Sequence, residues 1–472
     1  MNKKWLILIP VIIIAGVLLY IQITGCFSII DKDGIHYEPT VDNLIIALNK
    51  GGEVKLPIGD IEINKYVNVT NIDGLKMIGY GPDLTSFSFP DHRTWLGPGG
   101  NYGQPSTVTK GLKRFFFDNC TDVTLQGFKV TGAGKIDFHA KNNYVLRDIT
   151  MEYIDRPYIH HREPGGRAGS ITFILPMGRM LCENILFKNI HISHTTVSSI
   201  CLFGMSPYSK YRNVTYSDCS LRHIGETLNG INHIEVNNWS AGFHFPELLC
   251  CEEPKTMYAE DFLFENCIAE YCWEAGFHSE GICKHLGSVD FVNCESNYNG
   301  QKDTYYGKKL SYHGSGFFCV KENDHLVNCR AKGNSHHGIE AYASVDIEDC
   351  VCENNDYSGV YAYGWQPEGD STIHIKNTIC RNNGEYGFRL RYYYAGGEVE
   401  RCEATDNKLS GIFFHRMFGV DLIDNDIVGN QIGIEEGDAS DNNFIARNYL
   451  CNTGQNLIIV GPNTVSEGNV EC

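Results

Sequence analysis

Proline is scarce, 15 residues in 472, although glycine is plentiful at 49. That imbalance excludes a collagen-like chain. Basic charge is also short: 39 Lys plus Arg stand against 57 Asp plus Glu, a net charge of −18 that repels polyanions unless cations gather locally. A nucleic-acid partner is therefore not expected. No helical period runs through the body of the chain, and no apolar run after residue 23 is long enough to cross a bilayer. What is abundant is apolar and aromatic residues, 42% and 12%, with 26 Tyr. These provide a sizeable core, exclude disorder, and supply rings suited to stacking on sugars or other planar faces as well as to core filling.

The first segment is the exception to the lack of long apolar runs. Lys3 and Lys4 precede Trp5 to Ile23, which carries no charge and ends in Ile23, Thr24, Gly25, Cys26. The run is about the length of a bilayer core. Its end resembles a lipobox, in which the cysteine is lipidated after cleavage. Lipidated Cys26 and an uncleaved N-terminal anchor both remain open. Either places the rest of the chain at the cell surface or in another extracytoplasmic space, attached to a membrane. Residues 1–26 form the signal or anchor, 27–52 a linker and helix, and 53–472 one domain.

That domain repeats. With Gly276, Gly338, Gly359, Gly387 and Gly411 as origins, Cys267, Cys329, Cys350, Thr378 and Cys402 lie nine residues earlier. Seven residues before the origins stand Ala269, Ala331, Cys352, Cys380 and Ala404; four before, Cys272, Asn334, Asn355, Asn383 and Asn407. One residue after them come Phe277, Ile339, Val360, Phe388 and Ile412. Gly316 and Gly433 extend the series, with successive spacings of 40, 22, 21, 28, 24 and 22 residues. Each unit reads as a short alternating strand, an Asn turn, a glycine and a second strand. Such units satisfy their strand edges only by stacking coil on coil, which predicts an all-β parallel solenoid. Asn at minus four is expected to form a side-chain ladder, its tolerance of left-handed backbone suiting the bend. Regular leucine spacing is absent, which excludes a leucine-rich repeat.

From about Pro39 onward these features resemble the right-handed parallel β-helix proteins of the pectin-lyase-like superfamily. Thr40 to Lys50 is similar to their capping helix, with Thr40 as N-cap and Gly51 past the end. The family holds pectate lyases, polygalacturonases, uronate epimerases, tailspikes and surface proteins without known activity, so the resemblance implies glycan contact more than any one reaction. Calcium, common among lyases of this fold, is implied on the same footing; the acidic segment Glu435 to Asp441 reads as a solvated turn.

Cysteine follows the register. Cys267, Cys294, Cys329, Cys350 and Cys402 fall in one inward column where coils lie about 4.8 Å apart, whereas disulfide Cβ atoms prefer about 3.8 Å. Buried free thiols are expected there, with bridges sought among Cys250, Cys251, Cys272 and Cys283. No metal site is expected at Cys350 and Cys352, which should both face a filled interior.

Two and four residues past each origin, side chains should face outward. The first column runs His244, His278, Phe318, Glu340, Tyr361, Arg389, Phe413, Glu435; the second runs Pro246, Glu280, Val320, Tyr342, Tyr363, Arg391, His415. The two are expected to form one exterior ribbon. From Lys376 to Arg416, seven basic residues oppose five acidic ones, so this ribbon is locally cationic. Tyr342, Tyr361, Tyr363 and Phe413 become candidates for stacking on sugar rings; Arg389 and Arg391 for binding uronate carboxylates. His244, His278, Glu280, Glu340 and His415 complete the candidate catalytic set. Glu280 and Glu340 fall about 12 Å apart on strand geometry, too far for a glycosidase pair. Elimination or epimerisation needs a cation at the carboxylate and a base at C5, which Arg, His or Tyr can supply. Arg162, Pro164, Arg167 and Gly169 match the RxPxxRxG segment of pectate lyases, and by that resemblance Arg162 would be a base; the family's WIDH segment has no match. Two readings follow: a polysaccharide lyase or uronate epimerase, or a glycan-binding envelope protein without turnover.

Overall fold

The computed structural model describes residues 26–90, 113–132, 134–154, 169–176, 178–179, 181–195, 198–204, 209–225, 241–248, 258–279, 288–300, 304–305, 308–309, 314–319, 324–364, 371–393 and 395–472. Strands stack in parallel from Gly52–Lys55 to Val470–Glu471. One sheet holds 14 strands and a second holds 29. The larger sheet turns a corner, so a coil contributes three strands: Ile373–Lys376 and Ile379–Arg381 to the larger sheet, Phe388–Arg391 to the smaller. The two-strand unit expected from the sequence is thus one strand short. The missing strand hides because its bend is only two residues, Asn377 at φ 48° and Thr378, and slips the inward phase by a single position between the buried Ile375 and Thr378.

Inside, the expected columns are present. Phe243, Phe277 and Phe317 stack with centroids 4.7 and 4.8 Å apart, the coil spacing itself. The Asn ladder runs Asn299, Asn334, Asn355, Asn383, Asn407, Asn430, Asn452, each Nδ2 donating to the Oδ1 of the next at 2.9–3.0 Å. These Asn are buried or nearly so, and the left-handed position is the residue before them: Asn354, Asn382 and Asp406 at φ 54–57°. Conformational tolerance therefore belongs to the neighbour, and the ladder Asn serves purely by hydrogen bonding. The origin glycines answer to crowding. A Cβ on Gly338 would stand 2.6 Å from the Gly359 carbonyl of the next coil.

The column cysteines Cys267, Cys294, Cys329, Cys350 and Cys402 are free and buried. Their thiols donate to backbone carbonyls of the preceding coil, as Cys294 does to Phe264 at 3.3 Å and Cys350 to Leu326 at 3.4 Å. Burial pushes the Cys402 thiol up to about 12, which keeps it protonated and unreactive. Cys272, where a bridge was expected, is also free and buried; Cys250, Cys251 and Cys283 lie outside the described residues. A disulfide joins Cys451 to Cys472 instead.

At the start, a helix spans Val41–Asn49, and the Thr40 hydroxyl accepts the Asn43 N–H at 3.3 Å. Its buried Val41, Leu44, Ala47 and Leu48 join the common core. No helix among the described residues is long and apolar enough to cross a membrane. Residues 1–25 lie outside the described set.

Asn383 satisfies the amide of Asn355 twice and the Cys352 carbonyl once. Asn383→Ala strands these buried groups and should lower unfolding free energy by about 3 kcal/mol. Asn328→Gly, in the exposed left-handed ladder, should cost less than about 1 kcal/mol. Chemical denaturation of both variants measures the contrast, and equal losses would contradict the internal ladder as the stronger tie.

Candidate functional site

The smaller sheet carries the outward columns, and its register fixes them. His244, His278, Phe318, Glu340, Tyr361, Arg389, Phe413 and Glu435 are successive neighbours across seven parallel pairings. Tyr363, Arg391 and His415 form a second column beside them. The ribbon is continuous but not uniformly open. His244, His278 and Glu340 are 3%, 1% and 2% exposed. That corrects the expectation of an exterior face for them: they are outward of the sheet yet covered. His278 sits 3.5 Å from Glu274 and stacks on Phe318 at 5.0 Å. Arg162 and Glu280 lie outside the described residues, as do the side chains of Pro246 and Val320.

Glu340 is the centre of a network. Its Oε1 accepts the Tyr342 hydroxyl at 2.7 Å; its Oε2 faces His336 Nδ1 at 3.0 Å and accepts the Ser315 hydroxyl. Burial alone would raise its pKa, but the His336 hydrogen bond, the nearby imidazoles and Ser315 overcome that and bring it down to about 2. Tyr342 is therefore a donor to the carboxylate as well as a ring on the ribbon. Burial and then the Glu340 charge push its phenol up, so it stays protonated. When His336 donates Nδ1–H to Glu340, Nε2 keeps the lone pair, which is the tautomer of a general base.

His337 plays a different part. Its ring stacks on Tyr361 at 4.7 Å and 17°, and its Nδ1 accepts the Ser358 N–H at 3.2 Å. Burial pulls its pKa down to about 3. Neither His336 nor His337 was among the sequence candidates. Both lie between the ladder Asn334 and the origin Gly338, where the strand alternation says nothing; the paired His four and three residues before Glu340 was the available signal. Donor atoms of His336, His337 and Glu340 lie within 4.8 Å of one another. The hydrogen bonds do not fit a metal centre, because neutral His337 with an accepting Nδ1 bears its proton on Nε2 and offers no lone pair.

Beyond this network the arginines lie against tyrosines. The Arg389 guanidinium is 5.4 Å from the Tyr361 ring and 5.3 Å from Tyr386, with Glu385 at 3.6 Å. Arg391 lies 5.9 Å from Tyr363 and 5.2 Å from Tyr392. Tyr361 is 6.1 Å from Tyr342 and 6.3 Å from Tyr363, so three rings group around the junction of acid and base. Phe413 packs on Tyr386 at 5.1 Å. The expected solvated turn from Glu435 to Asp441 is partly buried. Glu436 is 1% exposed and accepts the Val460 and Gly461 amides at 2.8 and 2.9 Å, fastening the last coil.

Residues 315–469 match the family described as a right handed beta helix region. No curated protein matches the chain in sequence. Among solved structures, the A-module of a mannuronan C-5 epimerase from Azotobacter vinelandii aligns at 14% identity over 91% of this chain and 94% of that one, TM-score 0.42. An α-1,3-glucanase catalytic unit from Streptomyces thermodiastaticus aligns at 13% over 92% and 67%, TM-score 0.40. A surface adhesin of Streptococcus pneumoniae aligns at 11% over 88% of each chain, TM-score 0.39. Identities and TM-scores this low transfer no residue roles.

His337 and Glu340 both have depressed folded-state pKa values. Their stabilising contribution is complete above the unfolded values, near 6.5 and 4.5, and is lost as pH falls toward about 3 and about 2. Stability should decline from pH 6.5 downward and more steeply below 4.5. His337→Gln should flatten the upper part of that decline in denaturant titrations at successive pH; an unchanged slope would contradict a buried neutral imidazole.

Proposed function

We propose that this chain, a parallel β-solenoid whose residues 315–469 match a right handed beta helix region, is an exported, membrane-attached protein whose groove over the smaller sheet binds uronate-containing polysaccharide and modifies it by proton abstraction at C5. The observation that carries this reading is the meeting of a Glu340–His336 dyad with an arginine held against two tyrosine rings, all on neighbouring coils. Arg389 neutralises the uronate carboxylate, which acidifies the C5 proton. His336 Nε2 takes that proton, and Glu340 stabilises the imidazolium that forms. If the imidazolium passes its proton to the C4 oxygen as the C4–O bond breaks, an unsaturated sugar and a new hydroxyl end form, as in a lyase; if water delivers a proton to the opposite face of C5 and the imidazolium returns its own to solvent, the C5 epimer forms. Tyr361 and Tyr363 stack on the sugar rings. Attachment follows from the apolar run Trp5 to Ile23, with Cys26 as lipid acceptor or the run itself as anchor. The Cys26 carbonyl accepts the Ile58 N–H at 2.5 Å, which ties residue 26 to the first coil.

The saturated hydrogen bonding of Glu340 favours a second reading, a glycan-binding surface protein without turnover. Incubating the full chain in detergent with polymannuronate, polyguluronate and polygalacturonate separates the two. Ultraviolet absorbance of unsaturated product marks a lyase and proton NMR of C5 configuration marks an epimerase. Turnover should fall more than about a hundredfold in His336→Ala and in Arg389→Ala. Binding without either product supports the second reading, and absence of binding to every polyuronate overturns both.

A further inference from the structure

Nearly every arginine among the described residues has an assigned partner. Arg114, Arg147, Arg212, Arg222, Arg330, Arg381, Arg389, Arg401 and Arg447 each have a carboxylate within 4.0 Å, and Arg179 donates to the Ala140 carbonyl at 2.8 Å. Arg391 and Arg416 have neither. Both lie against the same ring. The Arg391 and Arg416 guanidinium groups lie 5.2 and 5.1 Å from the centroid of one ring, Tyr392. His415 is the register neighbour of Arg391 on the next coil, and its ring meets Tyr392 edge-on at 5.7 Å. Arg391 Nε and His415 Nδ1 are buried without a hydrogen-bond partner. Two like charges on one ring, in a chain whose net charge is −18, repel each other, and what offsets this is neutral: the Tyr392 ring quadrupole and, for Arg391, the Tyr361 side chain. Tyr392 itself is held at φ 63°, in a region costly for a bulky side chain. Burial and the charges of Arg391 and Arg416 lower the pKa of His415, opposed by Asp438. An arriving anion would relieve this concentration of positive charge.

We propose that Arg391, His415 and Arg416, gathered around Tyr392, form a second oxyanion subsite beside the one at Arg389, so that the polymer bound here carries acidic groups on successive sugars. The inference rests on the acidic-glycan reading above and narrows it from an isolated uronate to a run of acidic residues. Arg416 is exposed and Arg391 partly so, which leaves their outer edges open to a ligand. Tyr363 meets Tyr392 at 4.8 Å and joins this subsite to the tyrosine group of the first. A carboxylate or a sulfate ester presents the same oxyanion chemistry to such a fork.

Isothermal titration of the full chain in detergent tests this with four probes: a monouronate, a hexauronate, a sulfated hexasaccharide and a carboxyl-reduced neutral hexasaccharide. The hexauronate or the sulfated hexasaccharide should bind more tightly than the monouronate, and which of them is tighter identifies the acid. Arg391→Ala and Arg416→Ala should each weaken the acidic hexasaccharide about tenfold while leaving the monouronate, which needs only the subsite at Arg389, unchanged; Arg447→Ala, whose arginine is salt-bridged elsewhere, should change neither. Arg416 is on the surface, so Arg416→Ala carries the test if Arg391→Ala does not fold. Wild-type affinity for the acidic hexasaccharide in Arg416→Ala overturns the second subsite and leaves the reading at Arg389 standing. Equal binding of the neutral hexasaccharide by the wild type overturns both.

Discussion

Coil-to-coil hydrogen bonding at a fixed spacing is the constraint on which everything else in this molecule depends. The backbone ladders set it, and the internal asparagines lock it, because each amide both donates to and accepts from its counterparts one coil away. A one-residue slip in any coil would leave Asn donors facing apolar columns and turn every outward side chain inward. The arrangement on the groove is therefore inherited. Tyr361 stands next to Glu340, and Arg389 next to Tyr361, because the coils beneath them cannot shift.

That rigidity explains how a buried carboxylate is tolerated in a strongly acidic protein. Taking Glu340 out of water is costly, yet Ser315, His336 and Tyr342 all point hydrogen-bonding groups at it from three neighbouring positions. Its depressed pKa is the outcome of that contest, since burial acting alone would push the other way. His337 shows the reverse balance. It has no comparably strong partner for a positive charge, so burial wins and the ring is neutral. Two adjacent histidines thus differ through their surroundings alone: one faces an acid, the other a backbone amide and a tyrosine ring.

Much of this was legible in the sequence because a solenoid writes its register into spacing. The recurring glycines located the groove columns to the residue, and the thiol column was readable from the mismatch between coil spacing and disulfide geometry. The third strand of each coil was not legible, since its bend is only two residues, one of them left-handed, and shifts the inward phase by a single position. His336 and His337 escaped for a related reason: they occupy the turn, where no period assigns a face. Exposure also could not be read. Spacing says which way His244 and His278 point from the sheet, but only neighbouring chain decides whether water reaches them. The bridge between Cys451 and Cys472 lies outside the inward column, where the ladder argument has no reach.

The same geometry explains why chemistry gathers over the smaller sheet and not elsewhere on the solenoid. Within the larger sheet successive strands are joined by two-residue bends, at 328–329, 349–350, 377–378, 401–402 and 424–425, which have no room to vary. The chain entering the smaller sheet is not so confined. Residues 333–338, 354–359 and 382–387 lead into its strands, six residues each where the bends have two. Insertions are tolerated where they do not interrupt a ladder, because closing a longer loop adds little entropy cost. A fixed floor bordered by variable connections is the arrangement in which side-chain identity on the floor can change without loss of fold. It follows that an arginine at 391 is not a packing requirement of the solenoid: Tyr363 and His415 occupy the equivalent outward position on the neighbouring coils, and the ladder beneath them continues unaltered.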